Sequence, residues 1–215
     1  MTLTRNLPLK LGESALLFID VQNFAAHREG GEFKGLPEAA FLDRYGWFFS
    51  ELESRVIPHM VRLQAACRGA RVEVMYTTIE SLTIDGRDRS LDYKINGFHV
   101  PKGSWDGKVI DKLAPAEDEI WLPKSSSSVF VSTHIDYVLR NLGVKQLVIS
   151  GLVTDQCVES AIRDASDLGY LVTQVTDACA ARAPELHENS LMSTKNYCRQ
   201  VTTETLLQEL EHVAA

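Results

Sequence analysis

Asp20, Lys124 and Cys157 are the residues of this chain whose types combine into a reaction. A thiol attacks as its thiolate, so it needs a group that removes the proton. A carboxylate can take that proton and later give it to a leaving amine, while an ammonium holds the carboxylate ionised and adds positive potential beside the sulfur. Taken singly, each has an ordinary alternative: a buried core thiol, a solvated charge closing a strand, a surface lysine. The setting favours chemistry most clearly for Cys157, in Ser150-Gly151-Leu152-Val153-Thr154-Asp155-Gln156-Cys157-Val158, a tight passage from a strand into the first turn of a helix. There the positive end of the helix dipole is expected to lower the thiol pKa, with free backbone N–H groups aimed at the group it attacks.

Competing chemistries find less support. The six histidines, His27, His59, His99, His134, His187 and His212, form no i, i+3/i+4 or H-x-H pair. Surface or capping roles are therefore expected for each. Cys67, Cys179 and Cys198 read as core thiols, and no two of the four cysteines make a C-x-x-C pair. P-loop, dinucleotide-binding, G-x-S-x-G and H-E-x-x-H signatures are missing.

The elements that must position these residues follow from short apolar runs at Ala15–Asp20, Val72–Thr77, Glu119–Leu122, Gln146–Gly151 and Leu171–Val175, which read as buried strands. Between them lie helical patterns over Phe41–Cys67, Thr133–Leu142 and Asp155–Leu168, the last two followed by Gly143 and Gly169. Strand alternating with helix predicts a parallel α/β sheet, which sets Asp20, Lys124 and Cys157 on its carboxyl edge. Pro184–Tyr197 and Thr203–Val213 add helical pattern without new strand signals. Thr78–Lys108 is a turn-rich excursion, expected to lie over that edge as a ligand loop or to form a subunit contact.

The chain has 215 residues, 45% hydrophobic and 24% charged, with 22 Lys+Arg against 29 Asp+Glu. That length suits a single domain spanning 1–215. The formal charge of -7 argues against nucleic acid or an anionic membrane as partner and leaves a small molecule as the expected one. No segment approaches the roughly 20 apolar residues of a spanning helix, and the N-terminus lacks a signal-type apolar run, so a cytoplasmic location is expected.

These residues resemble the isochorismatase-like cysteine hydrolases. Leu17-Phe18-Ile19-Asp20-Val21-Gln22-Asn23-Phe24 is similar to the family's Asp segment, Pro123-Lys124 with Ser128 and Phe130 to its Lys-x-x-x-Ser-x-Phe segment, and Gly151–Val158 to its nucleophile segment. The resemblance implies a three-layer α/β/α fold with a mainly parallel sheet and an Asp20–Lys124–Cys157 triad that needs no metal or organic cofactor. It also implies a cis Leu152–Val153 peptide, with the Val153 and Cys157 N–H groups forming an oxyanion hole.

Two departures narrow the class. The Asp-x-His metal site of the family's nicotinamidases has no counterpart in Tyr76-Thr77-Thr78-Ile79-Glu80-Ser81, and isochorismatases proper generally lack the nucleophilic cysteine. Cys157 thus points to C–N hydrolysis, and the excursion looks most like that of the ureidoacrylate amidohydrolases. A ureido or carbamoyl substrate is the class implied, with biuret, N-carbamoyl amino acids or nicotinamide as alternatives. Arg87 or Arg89 is a candidate for a substrate carboxylate or for a subunit salt bridge. Phe24, Glu80 and Ser128 are further candidates for substrate contact. Similar proteins are usually dimers or tetramers, and the aromatic run Phe41–Phe49 suits either a subunit contact or the core. A redox thiol enzyme using Cys179 and Cys198, and a silent ligand-binding family member, are the readings from other classes.

Overall fold

The computed structural model describes residues 3–214. Six strands form one sheet: β1 (Ser14–Ile19), β2 (Glu73–Ile79), β3 (Ile120–Lys124), β4 (Gln146–Leu152), β5 (Leu171–Ala180) and β6 (Arg199–Val201). Their order is β3-β2-β1-β4-β5-β6, and every pairing is parallel. Parallel strands need crossover connections that cover both faces, which is why β1 and β4 are buried throughout and mostly apolar rather than alternating in polarity.

Alternate residues of β1 enter opposite cores. Leu16 and Phe18 join Val74, Tyr76 and Val148 against α2 (Glu38–Glu51), α3 (Ile57–Gly69) and α9 (Thr203–Ala214), through Phe48, Phe49, Met60, Leu63 and Leu206. Ala15, Leu17 and Ile19 join Met75, Leu147 and Ile149 against α6 (Ile135–Asn141) and α7 (Glu159–Asp167), through Ile135, Leu139, Ala161, Ile162 and Ala165. The result is the expected three-layer α/β/α fold. Phe41, Phe48 and Phe49 lie in the first core, whereas Trp47 of the same run is exposed.

Several elements differ from the sequence pattern. β6 carries no apolar run of its own: three residues at the sheet edge, with one valine, fall below what periodicity detects. β3 extends through Pro123 to Lys124, and as an edge strand it tolerates a residue that donates no ladder bond. The helical run predicted over Phe41–Cys67 is α2 and α3 joined through a π turn at Leu52–Val56, just ahead of Pro58. The excursion contains a short helix, α4 (Leu91–Ile95), whose Ser90 cap accepts from the Tyr93 N–H at 3.2 Å. Cys157 itself sits in a π turn, Thr154–Val158, which precedes α7. A single α-helix from Asp155 was expected.

Candidate active site

The strand order reverses between β1 and β4, and in open α/β sheets ligands bind outside the carboxyl ends at such a point. Asp20 follows β1 there with a positive φ of 52°, a conformation that Asp tolerates better than most residues. Its N–H is anchored by Thr77 O at 2.9 Å. Opposite, Gly151 of β4 pairs with Ile19 and has φ 144°; a Cβ there would stand 2.2 Å from the Ile19 carbonyl oxygen. Only glycine lets the two strands approach this closely. The register with β5 shifts between Ile149 and Gly151, and the Leu152–Val153 peptide bond is cis where the chain leaves the sheet for the Cys157 turn.

Asp20, Lys124 and Cys157 are brought together and are all buried. Lys124 Nζ lies 2.9 Å from Asp20 Oδ2 and 3.3 Å from Cys157 Sγ, and it also donates to Ser126 O at 2.9 Å. Besides pairing with Lys124, the Asp20 carboxylate lines a cavity together with Cys157. Tyr93, from α4, places its hydroxyl 3.4 Å from Lys124 Nζ and 3.7 Å from Cys157 Sγ.

Burial opposes the charge on Lys124, but Asp20 and the other anionic partners outweigh it and hold its pKa above the ordinary lysine value. Burial raises the Asp20 pKa despite Lys124. The thiol behaves differently from the sequence expectation: burial, then the Asp20 charge, push Cys157 up to about 12, with Lys124 pulling the other way. The dipole argument fails because the sulfur is cut off from water, and burial outweighs what the helix start contributes. At neutral pH the thiol therefore keeps its proton until a base takes it.

The cavity above Cys157 measures about 30 Å³. Asp20, Val153, Cys157 and Leu152 form its floor, and Phe24, Tyr93, Phe98, Gln156 and Arg182 its walls. Phe98 packs edge-on to Phe24 at 5.9 Å and against Tyr93 at 5.5 Å, separating it from outer clefts of about 510 and 340 Å³. Arg182 is ion-paired with Glu32 and lies over the Phe33 and Tyr45 rings, at 5.4 and 5.6 Å. A planar guanidinium held on its faces suits recognition of a carboxylate.

Of the sequence candidates, Phe24 lines this cavity, and Glu80, Arg87, Arg89 and Ser128 do not. Glu80 accepts from the Gly103 N–H at 2.8 Å. Arg87 is exposed and pairs with Asp85, while Arg89 donates to Gly86 O and Phe98 O. Ser128 caps the short helix α5 (Val129–Ser132) and bonds Asp164. Missed were Tyr93, Phe98, Gln156 and Arg182. Their signal was weak: the two aromatics look like core, and Arg182 lies beyond the strand predicted at Leu171–Val175. Among the described residues, no group of three or more His, Cys, Asp or Glu side chains is placed to hold a metal ion. No helix among them is long and apolar enough to cross a membrane.

A family model described as the isochorismatase domain matches residues 14–205. The chain is 34% identical to a ureidoacrylate amidohydrolase RutB of Acinetobacter baylyi over 93% of this chain and 84% of the relative. It is 31% identical to the protein of the same name from Rhizobium rhizogenes, over 82% of this chain and 74% of that one. Among solved structures, a cysteine hydrolase from Pseudomonas syringae pv. phaseolicola superposes with a TM-score of 0.81 at 23% identity, covering 97% of both chains. An N-carbamoylsarcosine amidase from Thermoplasma acidophilum gives 0.67 at 24% identity, covering 89% of this chain and 97% of that one. The fold shared with those structures and the family match over nearly the whole sequence lead to one conclusion: the chain belongs to the isochorismatase family.

Proposed function

We propose that this protein is a cysteine amidohydrolase that cleaves a C–N bond of a small ureido or carbamoyl acid, ureidoacrylate being the first candidate. The observation that carries the reading is the Cys157 thiol 3.3 Å from Lys124 Nζ, which is itself paired with the buried Asp20 at 2.9 Å. The relatives named ureidoacrylate amidohydrolase support the substrate class, and Arg182 on the cavity wall supports an acid group on that substrate.

Asp20 takes the Cys157 proton as the sulfur attacks the carbonyl carbon. The raised pKa of Asp20 makes it a stronger base than an exposed carboxylate. The tetrahedral oxyanion is received by the N–H groups of Val153 and Cys157, both cavity residues. Collapse breaks the C–N bond, and the departing nitrogen takes the proton from Asp20, leaving an acyl or carbamoyl thioester. Water, deprotonated by Asp20, adds to this carbonyl, and expulsion of the sulfur with return of the proton restores the thiol. Lys124 keeps its charge throughout and compensates the negative charge that moves between Asp20 and Cys157. The whole of 1–215 serves as one such unit, and four buried, unpaired thiols suit a reducing, cytoplasmic setting.

The test is ammonia release from a panel of ureidoacrylate, N-carbamoylglycine, biuret and nicotinamide. Turnover of the ureido acids by the wild type and its abolition in Cys157→Ala are expected. Wild-type turnover by Cys157→Ala would overturn the mechanism, and preference for nicotinamide would overturn the substrate class.

A further inference from the structure

The turn bearing Cys157 is fastened at both ends to α8 (Pro184–Thr194), a helix that supplies no wall of the cavity. At the front, the fully buried Thr154 has its Oγ1 2.8 Å from His187 Nδ1, and its carbonyl oxygen accepts from Ser190 Oγ at 3.0 Å. At the back, Glu159 accepts from Ser193 Oγ at 2.9 Å, and its other oxygen lies 2.7 Å from Ser190 Oγ, whose one proton is shared between this carboxylate and the Thr154 carbonyl. His187, Ser190 and Ser193 recur every third residue, so one face of α8 carries all three. Within the turn, Val153 O accepts from the Gln156 N–H at 3.1 Å and from the Val158 N–H only at 3.4 Å, the long edge of hydrogen bonding, so α8 adds side-chain fastenings to a short backbone ladder.

We propose that His187 is a positioning residue which, through Thr154, holds the Val153–Cys157 turn so that the thiol stays in register with Asp20 and Lys124. The ring is suited to this because burial lowers its pKa, leaving a neutral imidazole whose Nδ1 accepts the Thr154 hydroxyl. Thr154 directly follows Val153, so a shift there moves both the oxyanion donors and the sulfur. Misplacement of reacting groups by about 1 Å costs on the order of 100-fold in rate. The inference rests on Cys157 being the nucleophile.

The experiment measures kcat and KM of His187→Ala, Thr154→Val, the double variant and His187→Asn, on the panel substrate that the wild type hydrolyses fastest. Each single loss is expected to lower kcat roughly 10–100-fold with KM changed less than about threefold. The double variant should be no slower than the slower single one, because both break the same bond. His187→Asn places an amide acceptor near the Nδ1 position and should recover most of the rate. Wild-type kcat in His187→Ala, independent and multiplying losses in the double variant, or failure of Asn to rescue would each overturn the proposal. Should His187→Ala fail to fold, Thr154→Val and His187→Asn still decide it. Full turnover by Cys157→Ala would instead sink the nucleophile assignment, which separates the two failures.

Discussion

The carboxyl edge of β1 and β4 and the excursion from Thr78 to Lys108 meet at one cavity, yet they are built in opposite ways. At the sheet edge, position is dictated by backbone: Gly151 seated against Ile19, Asp20 held at positive φ, and charged groups paired in a dry interior. In the excursion, side chains tie the loop to itself, and Gln22 and Asn23 fasten it to the sheet edge through Asp106 O and Trp105 O. Asp88 accepts from the Leu82 and Thr83 N–H groups, Glu80 from that of Gly103, and Arg89 donates to Phe98 O, while Leu82, Ile84, Leu91 and Ile95 remain exposed. The sheet edge carries Asp20, Lys124 and Cys157, and the loop delivers two aromatic rings, Tyr93 and Phe98, to the cavity beside them. Charges in the first region meet each other in a buried cluster, and charges in the second bond to their own loop.

Breaking the sheet-edge cluster should have the largest effect. Asp20→Asn is expected to reduce kcat by roughly 10³–10⁴-fold with the fold retained, read by turnover and circular dichroism. In the wild type, protonation of Asp20 removes the base. Because its pKa is raised, the acid limb of kcat should fall above 3.8, the ordinary Asp value. A limb at or below that value in a pH–rate profile contradicts the assignment. Lys124→Met strands a buried carboxylate and should cost about 3–5 kcal/mol in denaturant unfolding. Adding Asp20→Leu should restore much of that stability but none of the activity.

The excursion should respond in the other currency. Phe98→Ala is expected to change kcat/KM by about tenfold and to redistribute preference within the substrate panel, with a smaller stability loss than Lys124→Met. Arg87→Ala, which removes an exposed pair with Asp85, should alter kcat, KM and melting temperature least, within roughly 0.5 kcal/mol. A large KM effect at Arg87 would mean that the loop charges do meet substrate and would erase the contrast between the regions.

The same contrast decides what sequence reading can reach. Asp20, Lys124 and Cys157 were legible because each ends or follows an apolar strand, and a parallel sheet gathers such positions whatever lies between them. Arg87, Arg89 and Glu80 were misleading because a charged side chain bonding its own loop and one bonding a ligand have the same sequence signature. Tyr93 and Phe98 were invisible for the converse reason: burial against a cavity and burial in a core select the same residue types. β6 escaped notice because three edge residues carry no period, and His187 because its partner Thr154 lies 33 residues away, beyond any spacing rule. The Cys157 pKa went the wrong way because position in the chain suggests a dipole, while burial, which only folding reveals, dominates the thiol.

The chamber of about 30 Å³ has a consequence for which molecule ends the reaction. A cavity holds a water molecule once it offers roughly 10–15 Å³ of such space. Walled by Phe24, Tyr93 and Phe98, the space beside the sulfur therefore has room for the water that a hydrolysis consumes.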